Sequence, residues 1–95
     1  MPSHQLKQTA GFLITGRVQR VGFRWWARRT ATRLGLSGTV SNLVDGTVEV
    51  HVRGTGDAID QFRERLQVGP PMAVVETVEV IPSVDSFPTG FHLLP

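Results

Sequence analysis

The chain contains no cysteine. That absence excludes a disulfide scaffold, a thiol nucleophile and a cysteine zinc site, and it fits a reducing compartment. Long hydrophobic runs are also missing, so no segment reads as a membrane span. The opening stretch, Met1 to Thr9, is polar and lacks the apolar core of a signal peptide, so a cytoplasmic location is expected. No acidic residue precedes Asp45, whereas Lys7, Arg17, Arg20, Arg24, Arg28, Arg29 and Arg33 all fall before it. From Asp45 onward, eight acidic residues face only three basic ones. The modest net charge of +2 therefore hides a strongly positive first half, and an anionic ligand is the natural inference. A solvated basic helix is the plainer alternative.

What is present describes one small domain. Apolar residues make up 40% and charged residues 19% of 95 residues, an ordinary globular balance. A chain of this size buries roughly 60–65% of its unfolded surface, so all its elements share one modest core. We expect a loose N-terminal tail over 1–9 and a single domain over 10–95. No repeat or low-complexity tract interrupts it.

Gly11 to Val18 reads as a strand and Gly16 to Gly22 as a loop. Phe23, Ala27, Thr30, Ala31 and Leu34 then recur at helical spacing, with Trp26 on the same face, until Gly35 stops the helix. Leu36 to Leu43 reads as a second strand, and Val44-Asp45-Gly46 is a hairpin turn. Val48, Val50 and Val52 alternate with Glu49, His51 and Arg53, which predicts a half-buried strand whose second face is wet, with His51 in solvent. Asp57 is the expected N-cap of a second helix carrying Ala58, Ile59, Phe62 and Leu66, closed by Gly69-Pro70-Pro71. Ala73 to Ile81 is a valine-rich strand, and Phe91 to Leu94 a short last strand kept near an edge by Pro95. The order is βαββαβ with an extra C-terminal strand. It predicts an α+β domain with one antiparallel sheet and both helices on one face.

Chemistry concentrates in Gly16-Arg17-Val18-Gln19-Arg20-Val21-Gly22-Phe23-Arg24, which joins a strand to a helix N-terminus. Unpaired backbone N–H groups and the positive end of the helix dipole face such a loop, and a phosphate group fits there. Arg24 falls in the first helical turn, where the dipole disfavours a cation; an anion would offset that, and the guanidinium could grip it in bidentate fashion.

This loop resembles the acylphosphatase signature G-x-V-Q-G-V-x-F-R. A second block, Gly35-Leu36-Ser37-Gly38-Thr39-Val40-Ser41-Asn42-Leu43-Val44-Asp45-Gly46-Thr47-Val48-Glu49, is similar to the family's G-L-x-G-x-V-x-N-x-x-D-G-x-V-E. Gly69-Pro70-Pro71 and Gly90-Phe91 also have counterparts, so the likeness runs from about Gly11 to Leu94. It implies a ferredoxin-like α/β sandwich and hydrolysis of the carboxyl–phosphate anhydride of acyl phosphates, with no metal and no cofactor. It further implies that Arg24 clamps the phosphoryl oxygens and that the loop from Gln19 through Arg20, Val21 and Gly22 to Phe23 cradles the phosphate with backbone amides. Asn42 matches the residue that holds the attacking water. The implied partners are a small-molecule acyl phosphate and inorganic phosphate as product or inhibitor, with no nucleic acid, no membrane and a monomeric chain.

Two positions depart from the family. Arg20 stands where glycine is usual, and we expect a negative φ there, because arginine in the left-handed region would cost about 1–2 kcal/mol. Thr39 replaces a common tryptophan, read as a packing change. Trp26 is expected in the core, and Trp25 on a partly exposed helix face bordering the pocket. Arg28, Arg29 and Arg33 read as a solvated face with some long-range steering. His4, His51 and His92 have no metal-ligand spacing, no G-x-S-x-G occurs, and no G-K-[ST] follows the loop.

A rival to the enzyme is a non-catalytic phosphate- or acyl-phosphate-binding module, since similar domains begin the large carbamoyl-phosphate-using hydrogenase-maturation proteins. The end at Pro95, without a zinc-binding extension, favours a standalone enzyme. An RNA-recognition module shares the βαββαβ order, but it needs aromatic residues on central strands, and Val48–Val52 has none.

Overall fold

The computed structural model describes residues 6–95. Seven elements follow one another: β1 (Lys7–Arg17), α1 (Phe23–Arg33), β2 (Ser37–Asn42), β3 (Val48–Thr55), α2 (Gly56–Leu66), β4 (Val74–Ile81) and β5 (Phe91–Leu93). The strands form one sheet in the order β4-β1-β3-β2-β5. β1 to β4 pair antiparallel as expected, while β5 runs parallel to β2 and makes the sheet mixed. Of the expected tail, residues 1–5 lie outside the described residues; Lys7, Gln8 and Thr9 pair with Thr55, Gly54 and Arg53 as the start of β1. No helix among the described residues is long and apolar enough to cross a membrane.

The period-two pattern of β3 and the helical periods of α1 and α2 meet in one core. Phe12, Ile14, Val40, Val48, Val50 and Val52 project from the sheet. Phe23, Ala27 and Ala31 from α1, and Ala58, Ile59, Phe62 and Leu66 from α2, close over them. Each large side chain among these contributes about 1.5–3 kcal/mol by leaving water, before chain entropy is counted.

Two local expectations are corrected. His51 is buried, with 6% of its surface exposed, although it lies on the face expected to be wet. Its antiparallel partner Gly11 has no side chain, and a Cβ built there would stand 3.0 Å from His51 Nδ1. The imidazole therefore lies over the glycine and meets Glu49 Oε2 at 3.1 Å. Alternation identifies the face a residue takes but not what covers it. The N-cap of α2 is Thr55 rather than Asp57: Ala58 N–H donates to Thr55 Oγ1 at 3.2 Å, and Asp57 occupies the first turn, where its charge still favours the helix dipole.

Two features set the approach to the loop after β1. The register against β4 shifts between Thr15 and Gly16, a bulge that redirects the strand end. Gly16 has φ 122°, and a Cβ there would collide with the Val74 carbonyl. In the β2–β3 turn, Thr47 donates through Oγ1 at 2.6 Å and through N–H at 3.0 Å to Asp45 Oδ1. These bonds, the side-chain one foremost, hold the exposed Asp45 carboxyl below the usual carboxylate range. Their contribution to the hairpin is present above the ordinary carboxylate pKa and is lost as pH falls through the lowered one.

Gly16→Ala should destabilise the fold by about 2 kcal/mol or more in urea unfolding, since both φ and space oppose a methyl group. Thr47→Val should raise the Asp45 pKa toward its ordinary value in an NMR titration.

Candidate active site

The loop between β1 and α1 is clamped at both ends by apolar burial. Val18 is fully buried, and Phe23 is buried with its ring tilted against Trp26 at 5.3 Å between centroids. Between these anchors the backbone takes the left-handed conformation twice, at Arg20 (φ 63°) and at Gly22 (φ 76°, ψ 19°). Left-handed residues on either side of one that is not turn successive N–H groups toward a common concavity. Among the described residues, the main-chain N–H groups from Arg20 to Trp25 donate to no main-chain carbonyl. Gly22 caps α1 without a side-chain acceptor, and no acidic residue stands in the first turn. The orphan donors of the helix end and its positive dipole thus converge on open space.

That space is a cleft of about 230 Å³ lined by Val18, Arg20, Gly22, Phe23, Arg24, Trp25 and Asn42. Arg24 and Asn42, distant in sequence, therefore face one cavity. Arg24 Nη1 donates to the Leu94 carbonyl at 2.8 Å, and Leu94 N–H donates to the Val40 carbonyl at 2.8 Å. A main-chain carbonyl orients the guanidinium without neutralising it, and four further N–H donors stay free of that bond. Asn42 sits at the end of β2, and its Oδ1 has no donor among the described residues. Buried polar atoms are seldom left so, and Asn42 is one of the residues that line the cleft.

The expectation for Arg20 is corrected: its φ is positive. Closing the loop between two buried anchors while its N–H groups converge fixes this conformation, and the side chain accepts the strain. The Arg20 side chain is exposed and lines the cleft, adding a cation to its rim. Gln19 and Val21 do not line the cleft. Val21 packs against the core, and the Gln19 amide donates to the Leu43 and Thr47 carbonyls at 2.7 and 2.8 Å. The Gln19 side chain thereby ties the loop to the β2–β3 turn and fixes the distance between the cradle and Asn42. The Leu94 carbonyl carries no sequence signal, because every residue has one. The role of the Gln19 side chain could be sought only from its being a long amide facing a hairpin.

The arrangement can hold a compact tetrahedral anion. Its donors are fixed in advance, and among the described residues the one ion pair joins His51 and Glu49, so neither Arg20 nor Arg24 is neutralised by a carboxylate. Among the described residues no three His, Cys, Asp or Glu side chains gather into a metal-holding cluster.

Comparison with known proteins supplies the family. The family model described as Acylphosphatase matches residues 10–93. The chain is 46% identical over 89 residues to an acylphosphatase of Alkalilimnicola ehrlichii, a match covering 94% of this chain and 100% of the relative. It superposes on the solved structure of an acylphosphatase from Coxiella burnetii with a TM-score of 0.84 and 33% identity, covering 99% of each chain. The crystal structure of acylphosphatase from Bacillus subtilis gives a TM-score of 0.85 at 29% identity, covering 95% of this chain and 100% of that one. Sequence likeness, shared fold and a cradle of unpaired amides beside an arginine all lead to one conclusion: the chain belongs to the acylphosphatase family.

Proposed function

We propose that the chain hydrolyses the carboxyl–phosphate bond of acyl phosphates, releasing a carboxylate and inorganic phosphate, with Arg24 and Asn42 as its catalytic side chains. The observation that carries this reading is the gathering of the unpaired N–H groups, the Arg24 guanidinium and the Asn42 amide around one cleft.

The reaction suits such a site. A carboxylate is a stable leaving group, so no strong general acid is required. Phosphoryl transfer through a loose transition state needs positioning and stabilisation of charge on the equatorial oxygens. Rigid N–H donors from Arg20 to Phe23 and the Arg24 guanidinium supply both without reorganising as the charge develops. Arg20 adds positive charge at the rim. Asn42 orients the attacking water through a neutral amide, which avoids the repulsion a carboxylate would exert on the phosphate. The water's proton passes to a phosphate oxygen of the substrate.

In this reading Arg24→Ala lowers kcat/KM for benzoyl phosphate by about a hundred- to a thousandfold. Asn42→Ala lowers mainly kcat. Both are measured as phosphate release with a chelator present, and inorganic phosphate should inhibit competitively. Two variants that match wild type would overturn the assignment, and phosphate binding without wild-type turnover would favour a binding module. Arg20→Gly should relieve backbone strain at some entropic cost, raising stability by about 0.5–1 kcal/mol. It should keep activity within an order of magnitude; loss of all turnover would show that the Arg20 side chain is essential to the site.

A further inference from the structure

At the end of the sheet away from the cleft, two cations share a hollow without an anion. Lys7 on β1 and Arg53 on β3 line a polar cavity of about 460 Å³, roughly twice the volume of the cleft, with Ser37 on β2 and with Phe87, Thr89 and Gly90 of the loop before β5. β1 runs from Lys7 at this cavity to Arg17 beside the cleft loop, a span of about 30 Å for an 11-residue strand. The two cavities share no lining residue.

The pairing of β1 with β3 sets Lys7 opposite Thr55, and so diagonal to Arg53 on the same face, about 7–8 Å away across the sheet. Charges of one sign held at that distance repel. Glu49, on the same face of β3, meets His51, and among the described residues no carboxylate forms a salt bridge with Lys7 or Arg53. The end of α1, which closes beside the cavity at Gly35, does not call for these cations either. The carbonyls of Thr30, Ala31 and Thr32 already accept from the N–H groups of Leu34, Leu36 and Gly35. Further donors stand around the pair. Ser37, the cross-strand partner of Arg53, and Thr89 bring hydroxyls, and the Thr89 and Gly90 N–H groups donate to no main-chain carbonyl among the described residues. Phe87, half-buried, adds an apolar wall.

The geometry points to a second anion site in this cavity, for a phosphate monoester: Lys7 and Arg53 hold the phosphate, the Ser37 and Thr89 hydroxyls complete its donors, and Phe87 supports a compact organic part. A tetrahedral dianion offers enough oxygens to meet two cations and two hydroxyls at once, whereas a carboxylate has two oxygens to share among them. The volume leaves room for the organic part beside the phosphate. The site is independent of the reaction proposed for the cleft. A bound ester would join β1, β2 and β3 to the loop that leads into β5.

The test follows backbone amide resonances as phenyl phosphate, which has no acyl anhydride to hydrolyse, is added at low ionic strength. In wild type and in Arg24→Ala alike, Ser37, Thr89 and Gly90 should shift along one saturating curve, which weakens as salt rises. In Lys7→Gln/Arg53→Gln, affinity at these three amides should fall about three- to tenfold, as expected for two exposed charge contacts, while the response of Arg20 to Trp25 stays as in wild type. Arg63→Gln/Arg65→Gln, which removes the same charge from α2, should leave the curve unchanged. Benzoate, with a carboxylate in place of the phosphate, should bind there more weakly than phenyl phosphate. Shifts confined to Arg20–Trp25, or a curve at Ser37, Thr89 and Gly90 that survives in Lys7→Gln/Arg53→Gln, would overturn the site. Equal binding of benzoate would overturn the phosphate class.

Discussion

Unpaired main-chain N–H groups in a folded protein need a reason, and here six consecutive residues beside a cleft donate theirs to no main-chain carbonyl among the described residues. The surrounding elements make that possible. Val18 and Phe23 bury their side chains on either side, so the loop cannot relax into a helical or extended path that would satisfy its own donors. The bulge at Gly16 turns the strand toward it, and Gln19 fastens it to the neighbouring hairpin. The sheet and the two helices act as a frame that holds polar groups where no main-chain carbonyl among the described residues satisfies them.

Charge reinforces the same end. The first 44 residues carry no carboxylate, and among the described residues no salt bridge neutralises Arg20, Arg24 or the arginines further along α1. Arg24 is steered by a carbonyl, which gives direction without cancelling charge. Asn42 contributes a dipole in place of a charge. In the proposed reaction this combination attracts a dianion while still admitting a neutral water.

Much of this was legible in the sequence, because periodicity and spacing are local. The valines of β3, the buried face of α1, the Asp45-Gly46 turn and the strand–loop–helix around Arg24 all follow from short-range patterns. What escaped was set by distant partners. His51 is buried because a glycine from another strand lies beneath it. The positive φ of Arg20 reflects closure between two anchors rather than the preference of arginine. Thr55 caps α2 in place of Asp57 because the chain leaves β3 already extended, with its hydroxyl in reach of Ala58 N–H. The Leu94 carbonyl beside Arg24 comes from the opposite end of the chain, and no side-chain pattern announces a main-chain oxygen.

That last contact has a kinetic corollary. Arg24 and Leu94 are 70 residues apart, and Leu94 is itself held by Val40 on β2. The guanidinium thus acquires its orientation only once the final stretch has docked along the sheet edge. A growing polypeptide that has built its hairpin and first helix still lacks the carbonyl that orients this arginine, which arrives only with the last residues of the chain.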